Sequence, residues 1–282
     1  MTDMNGRICL VTGATRGIGR ATAEALAKRG AHVLLHGRDS ASVGAVCREM
    51  VRYGQVTGVV GDLSSLAAVR KLATEVAAQY PRLDVLVNNA GTGTRRRQTT
   101  VDGYERTFAI NHLAPFLLTN LLLDRLKAGE AARVVTVSSM AHRRAVLDFD
   151  DLNWEKRKFN GLRAYGESKL ANILFTIELA SRLAGSGVTA NCLHPGVVAT
   201  NIFTVFGGRT GKILSVLFRP LLLSPANGAK TSIYLASSPE VANVTGKFFD
   251  KCREVTPAPA AQDASAAKRL WEISAKLTRL SS

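Results

Sequence analysis

Short apolar runs alternate with helix-period segments along most of this chain. Runs rich in Val, Ile and Leu at Arg7 to Thr12, Ala31 to His36, Val56 to Val60, Leu83 to Asn88, Arg133 to Ser138 and Val188 to Leu193 read as strands, with a seventh near Lys247 to Asp250. Between them, Gly17 to Arg29, Ser42 to Arg52, Ser65 to Gln79, Gly103 to Arg125 and Leu162 to Leu183 carry the period of helices with one buried face. Such alternation is the pattern of parallel strands joined by crossover helices. Val85-Leu86-Val87 and Val134-Val135-Thr136-Val137 are apolar without a break, as suits strands covered on both faces. Right-handed crossovers then predict an α/β fold with a doubly wound parallel sheet of order 3-2-1-4-5-6-7 and helices on both faces. Ligand is expected at the carboxyl edge, where the order reverses.

Two stretches leave this rhythm. Ile202 to Leu223 mixes Phe, Leu and Val with Arg209, Lys212 and Arg219, and reads as a substrate-covering insertion at about 202–224. The tail opens with Thr256-Pro257-Ala258-Pro259 and is expected to end in a helix over Ala264 to Leu277. Residues 1–255 are thus read as one domain and 256–282 as an appended, partly helical extension. With 282 residues and 46% hydrophobic composition, the chain can bury a substantial core. No stretch reaches the ~18 consecutive apolar residues of a membrane span, so a soluble, cytoplasmic protein is expected. Cys9, Cys47, Cys192 and Cys252 are scattered, and no histidine has metal-ligand spacing, so reduced thiols and no metal are expected.

The glycines Gly13, Gly17 and Gly19 follow the first strand and open the first helix. There the backbone must come close to a pyrophosphate, and the helix N-terminus favours negative charge. With Thr15, Arg16 and Ile18 they form a candidate dinucleotide loop, spaced G-x-x-x-G-x-G instead of G-x-G-x-x-G. An NAD enzyme would present a carboxylate after the second strand, yet this chain reads His36-Gly37-Arg38-Asp39. Arg38 and Arg16 suit a 2′-phosphate, so NADP(H) is expected over NAD(H), with Asp39 keeping NAD(H) open. Asp62-Leu63 would hold the adenine, and Asn89-Ala90-Gly91 brings a small-residue turn to the same edge.

Tyr165 and Lys169 stand four residues apart on one predicted helix, so both can point into one cleft. Reduction of a ketone needs a hydride and a proton. A phenol, with its ordinary pKa of about 10, becomes a usable acid when a cation favours its phenolate. Lys169 is the expected cation, and it can also reach the nicotinamide ribose. Ser139, at the end of the fifth strand, can donate to the substrate oxygen as charge develops there, and Asn111 can help to place a water.

Those motifs, together with Asn88-Asn89-Ala90-Gly91 and Pro195-Gly196, resemble the short-chain dehydrogenase/reductase family over roughly residues 5 to 250. Four longer stretches, Val134 to His142, Asn111 to Thr119, Ser168 to Phe175 and His194 to Thr200, resemble its retinol dehydrogenase-like subgroup. The resemblance implies a Rossmann-like fold and an oxidoreductase acting between a carbonyl and an alcohol. It implies Tyr165 as acid/base, Lys169 as its partner, Ser139 as substrate-oxygen donor and Asn111 as water holder. It further implies that Pro195, Gly196, Val198 and Thr200 contact the nicotinamide end. Many animal retinol dehydrogenases begin with a hydrophobic anchor, whereas this chain begins at the first strand, an argument against membrane residence. The apolar residues of the insertion favour a lipophilic carbonyl or alcohol as substrate. Related enzymes often pair through the Tyr165 helix and the helix after the fourth strand, so a homo-oligomer is considered, with the insertion and the basic patches as obstacles to that surface.

The formal charge of +15 will attract phosphorylated ligands or anionic surfaces. Arg95-Arg96-Arg97, His142-Arg143-Arg144 and the insertion's basic residues all follow strands at one edge, predicting a basic rim around the site. It would steer NADPH, an acidic substrate or an anionic membrane surface. No recognised nucleic-acid motif accompanies it. The competing reading is a non-catalytic dinucleotide-binding sensor or scaffold.

Overall fold

The computed structural model describes residues 3–196 and 223–280. Val198, Thr200 and the insertion up to residue 222 lie outside the described residues. In chain order the main elements are β1 (Ile8–Val11), α1 (Gly17–Ala27), β2 (His32–Gly37), α2 (Ser40–Met50), β3 (Val56–Val60), α3 (Leu66–Gln79) and β4 (Val85–Asn88). There follow α4 (Arg106–Phe108), a π-helical turn (Ala109–Leu113), α5 (Ala114–Leu121), α6 (Leu123–Lys127) and β5 (Arg133–Val137). A 3₁₀ turn (Met140–Arg144), α7 (Gly161–Arg182), β6 (Thr189–His194), α8 (Pro225–Ser237), β7 (Phe248–Asp250), β8 (Arg253–Glu254) and α9 (Ala264–Thr278) complete it.

The strands form one sheet ordered β3-β2-β1-β4-β5-β6-β7-β8. The first seven run parallel in the expected order, with Leu10 beside Leu34 and Leu86 in register. Successive strand residues face opposite sides, and each side has its own core. Leu10, Leu34, Leu86 and Val134 pack with Phe116 of α5 and Phe175 of α7. Val11, Leu35, Val87 and Val137 pack with Leu26 of α1, Val43 of α2 and Leu235 of α8.

The helices start where polar side chains satisfy their first N–H groups. Asp39, Ser65, Asn160, Ser224 and Asp263 accept from N–H groups two or three residues on, each cap contributing about 1 kcal/mol. α1 differs: its N-cap, Arg16, makes no side-chain cap.

Three features depart from the sequence expectations. The segment expected as one helix from Gly103 to Arg125 is broken into α4, a π turn, α5 and α6. Pro115 has no N–H to offer the carbonyl four residues back, which is that of Asn111, and Ala114 N–H instead pairs with the carbonyl of Ala109. Second, the sheet gains an antiparallel edge, β8, through a hairpin at Lys251 and Cys252, whose φ values are 49° and 60°. Neither is the Asn or Gly that advertises such a turn. Third, α8 was not foreseen, although Ser224-Pro225 supplies a cap and a proline at the first helical position.

The tail forms the expected helix, here α9, and lies across α5 and α7. The Trp271 ring sits 4.9 Å from Phe116 and 5.9 Å from Phe175. Tyr104 donates to the Leu277 carbonyl at 2.7 Å, and Arg70 to that of Thr278 at 2.6 Å. Among the described residues, no helix is long and apolar enough to cross a membrane.

Candidate active site

At the carboxyl ends of β1 and β4, two turns are locked together by one hydroxyl. Thr12 Oγ1 donates to the Val87 carbonyl and accepts the N–H groups of Asn89 (2.9 Å) and Ala90 (3.0 Å). The Asn89 amide returns a 2.7 Å bond to the Thr12 carbonyl. Gly13 has φ 63°, and a Cβ there would stand 3.0 Å from Ala90 Cα. At Gly19 a Cβ would run into the Gly13 carbonyl and the Asn89 amide. Gly17 has φ 59° with open space before it. Two glycines therefore serve close packing, and one leaves the α1 N-terminus clear for a ligand.

His36 secures the same corner, a role its place in a strand-period run did not reveal. Its Nδ1 accepts the Gly13 N–H at 3.2 Å, so its Nε2 carries the proton donated to the Gly61 carbonyl at 3.0 Å. Burial lowers this ring to about 4, keeping it neutral. β1, β2 and the turn after β3 thus meet through one imidazole.

Arg16 and Arg38 are exposed near this edge. Asp39, the carboxylate that left NAD(H) open, is engaged as the α2 cap, accepting Ser42 N–H at 2.8 Å. The hydrogen bonds from Ser42, with Arg38 nearby, hold it below the usual carboxylate range. At Asp62, burial acts upward, but Ser64 N–H and hydroxyl bonds and the Arg38 and Arg106 charges prevail and lower it. Leu63 is buried, Thr15 and Ile18 half-buried, and Pro195 and Gly196 follow β6 at the same edge.

The four candidate catalytic residues come together. Ser139 and Tyr165 are joined by a side-chain hydrogen bond. Lys169 Nζ lies 5.6 Å from the Tyr165 ring centre and donates to the Val137 carbonyl at 2.9 Å. A Cβ on Gly91 would lie 3.4 Å from Lys169 Nζ and 3.5 Å from Asn111 Oδ1, so Lys169 and Asn111 both border the space beside Gly91. Two serines that the sequence did not single out hold the frame. Ser138 Oγ donates to the Lys169 carbonyl at 2.7 Å, and Ser168 Oγ to that of Tyr165 at 2.7 Å.

One expectation needs correction. Lys169 was expected to bring the phenol down, but burial pushes Tyr165 up to about 12, with the Ser139 hydrogen bond as the opposing influence. The reason is that Lys169 is itself buried, which lowers it to about 8, and its Nζ bonds to a carbonyl. Asn111, the expected water holder, reaches the space beside Gly91 with its side chain. That side chain is already engaged: Oδ1 accepts Thr92 N–H at 2.7 Å, and Nδ2 donates to the Thr92 carbonyl and Ser168 Oγ, both at 2.9 Å.

Arg95, Arg96, Arg143 and Arg144, in the turns after β4 and β5, are exposed. Arg97 is not a free charge: it bonds the Asn153 carbonyl at 2.8 Å and Glu155 at 3.1 Å. Arg157 forks onto Glu167 at 3.0 and 2.8 Å, tying the loop before α7 to the helix that carries Tyr165.

Comparison with known proteins bears on this geometry. The family model described as short chain dehydrogenase matches residues 7–207. Human retinol dehydrogenase 13 is 45% identical over 98% of this chain and 85% of its own length. Human retinol dehydrogenase 14 is also 45% identical, over 96% of the chain and 86% of its length. Among solved structures, an uncharacterized protein from Mycobacterium paratuberculosis superposes with TM-score 0.83 at 37% identity, covering 99% of this chain and 96% of that one. The Pseudomonas aeruginosa RhlG/NADP active-site complex gives TM-score 0.71 at 30% identity, covering 88% and 95%.

Proposed function

The chain belongs to the short-chain dehydrogenase/reductase family, in its retinol dehydrogenase-like part, and from that premise we propose an NADP(H)-dependent enzyme that interconverts a lipophilic carbonyl and its alcohol, with Tyr165 as general acid/base. It is an oxidoreductase acting on CH–OH donors. The observation carrying the finer reading is the Ser139–Tyr165 hydroxyl pair with the Lys169 amine beside the ring.

The described residues fit a dinucleotide. The uncapped α1 N-terminus and the open space at Gly17 suit its pyrophosphate, Asp62 and Leu63 its adenine, and Asn89, Ala90, Gly91, Pro195 and Gly196 the side toward the reacting centre. Arg16 and Arg38 are free to meet a 2′-phosphate, whereas Asp39 is spent as a cap, which supports NADP(H) over NAD(H). When bound, the nicotinamide supplies or accepts the hydride.

The chain's own part is to orient the carbonyl and move the proton. The Ser139 and Tyr165 hydroxyls converge where a substrate oxygen can accept from both. A nascent alkoxide is a stronger base than a phenolate, so a phenol at about 12 still protonates it, and the Lys169 ammonium then stabilises the phenolate left behind. Pro115 spares the Asn111 carbonyl from the usual helical bond, so this oxygen, and not the occupied side-chain amide, is the group suited to hold a relay water. The retinol dehydrogenase names of the relatives and the apolar insertion support a lipophilic substrate.

The test is a screen of NADPH and NADH oxidation against aldehydes, ketones and retinoids, repeated with Tyr165→Phe. The expected result is faster turnover with NADPH on apolar carbonyls, and a loss of about 10³-fold or more in kcat for Tyr165→Phe with cofactor binding retained. NADH preference would overturn the cofactor assignment, and full activity of the phenylalanine variant the role of Tyr165.

A further inference from the structure

Two buried histidines link the catalytic layer to the C-terminal segment. His142, in the 3₁₀ turn after Ser139, accepts the Ala258 N–H on Nε2 at 3.2 Å. Its proton therefore sits on Nδ1, 2.7 Å from the Ser139 carbonyl, and is donated there. His112, in the π turn next to Asn111, bonds through Nε2 to Ser274 Oγ of α9 at 2.7 Å. Both rings are 0% exposed, and burial keeps both neutral, so each offers a donor and an acceptor. Both turns they serve are non-α, and their poorer internal hydrogen bonding leaves them in need of an outside support. The far side is firm: α9 is pinned by Trp271 between the aromatic rings and by Tyr104 and Arg70 at its carboxyl end.

We propose that His142 and His112 are positioning residues through which the C-terminal segment, from Ala258 to Thr278, holds the Ser139 and Asn111 turns in register with Tyr165. The tail is then a brace of the active site and not a flap over it. The catalytic consequence rests on the reading of Ser139 and Tyr165 as the reacting pair. The mechanical link stands on the contacts alone.

The shapes of Asn and Gln separate the two ends of the imidazole. In His142→Asn the amide can still donate to the Ser139 carbonyl but no longer reaches Ala258. In His142→Gln the longer side chain can meet the Ala258 N–H but lets go of Ser139. Ser274→Ala releases His112 from α9, and Lys268→Ala, an exposed change on α9, is the control. All are made in the full chain and assayed with NADPH, or NADH if it binds more tightly. Cofactor affinity is read from dihydronicotinamide fluorescence. Both His142 variants and Ser274→Ala should lower kcat by about tenfold, within the ~10²-fold caused by a misplacement of ~1 Å, with cofactor affinity unchanged and Lys268→Ala like the parent.

A wild-type kcat in His142→Asn would mean that Ser139 is held without the tail, and the proposal fails. It fails likewise if kcat and cofactor affinity fall together, since the change has then loosened the whole fold. Should the parent protein reduce no carbonyl, the dehydrogenase reading fails, while hydrogen exchange still decides the brace. Exchange must rise at residues 139–144 in His142→Asn and at 109–113 in Ser274→Ala, and stay unchanged in β1 to β3. Protected turns in those variants overturn the proposal.

Discussion

At the scale of the residue, burial sets the chemistry of Tyr165 and Lys169. A phenol raised to about 12 is kept protonated through the neutral range, the form that the proposed role of Tyr165 in carbonyl reduction needs. Alcohol oxidation needs the phenolate, so its kcat/KM should climb with pH across the alkaline range while reduction does not. Paired pH profiles of the two directions would reveal the difference. Lys169 costs stability. Its pKa is about 8 when folded and near 10.5 when unfolded, so the penalty is complete below pH 8 and is relieved as pH rises toward 10.5. Lys169→Met should therefore stabilise the protein at neutral pH, by up to about 3 kcal/mol, with the gain shrinking above pH ~8 and nearly gone by pH ~10.5 in denaturant titrations.

At the scale of the element, the informative feature is the π turn between α4 and α5. The sequence pattern around Asn111 looks like one helix because the apolar period runs through it, and only Pro115 signals the break. Pro115→Ala would restore an N–H four residues beyond Asn111 and favour α geometry there. The turn should tighten, drawing the Asn111 amide from Thr92 and Ser168. We expect kcat to fall by about tenfold while melting temperature holds or rises and cofactor affinity is kept, as steady-state kinetics and thermal melts would show. A kcat unchanged by this substitution would show that the π geometry has no part in turnover. The β7–β8 hairpin escaped sequence reading for a related reason: Lys251 and Cys252 adopt positive φ without the residues that usually do so.

At the scale of the whole molecule, the net charge of +15 bears on how a charged ligand arrives. The turns after β4 and β5 leave the sheet at the edge where the site lies, and they expose Arg95, Arg96, Arg143 and Arg144. A steering field should make kcat/KM for the phosphorylated cofactor fall as salt rises past the point where the Debye length drops below about 10 Å. Changing these four arginines to serine should flatten that dependence with kcat intact, which assays across ionic strengths would measure. Arg97 is left out of the set because its bonds to Asn153 and Glu155 make it structural. α9 packs on α5 and α7, with Trp271 against Phe116 and Phe175.

The order of the parallel strands, the glycine turn, the Tyr165–Lys169 spacing and the place of Ser139 were legible in the chain, because local period and crossover handedness act over short distances. So was the tail helix, whose apolar period is regular. What sequence could not carry was partnership between distant residues. His36 with Gly61, Ser168 with Asn111, His142 with Ala258 and His112 with Ser274 each join groups far apart along the chain, and nothing local to either member announces the other. The direction of the Tyr165 shift belongs to the same class: four-residue spacing promises proximity to an ammonium, but only the packed interior decides that loss of water outweighs it.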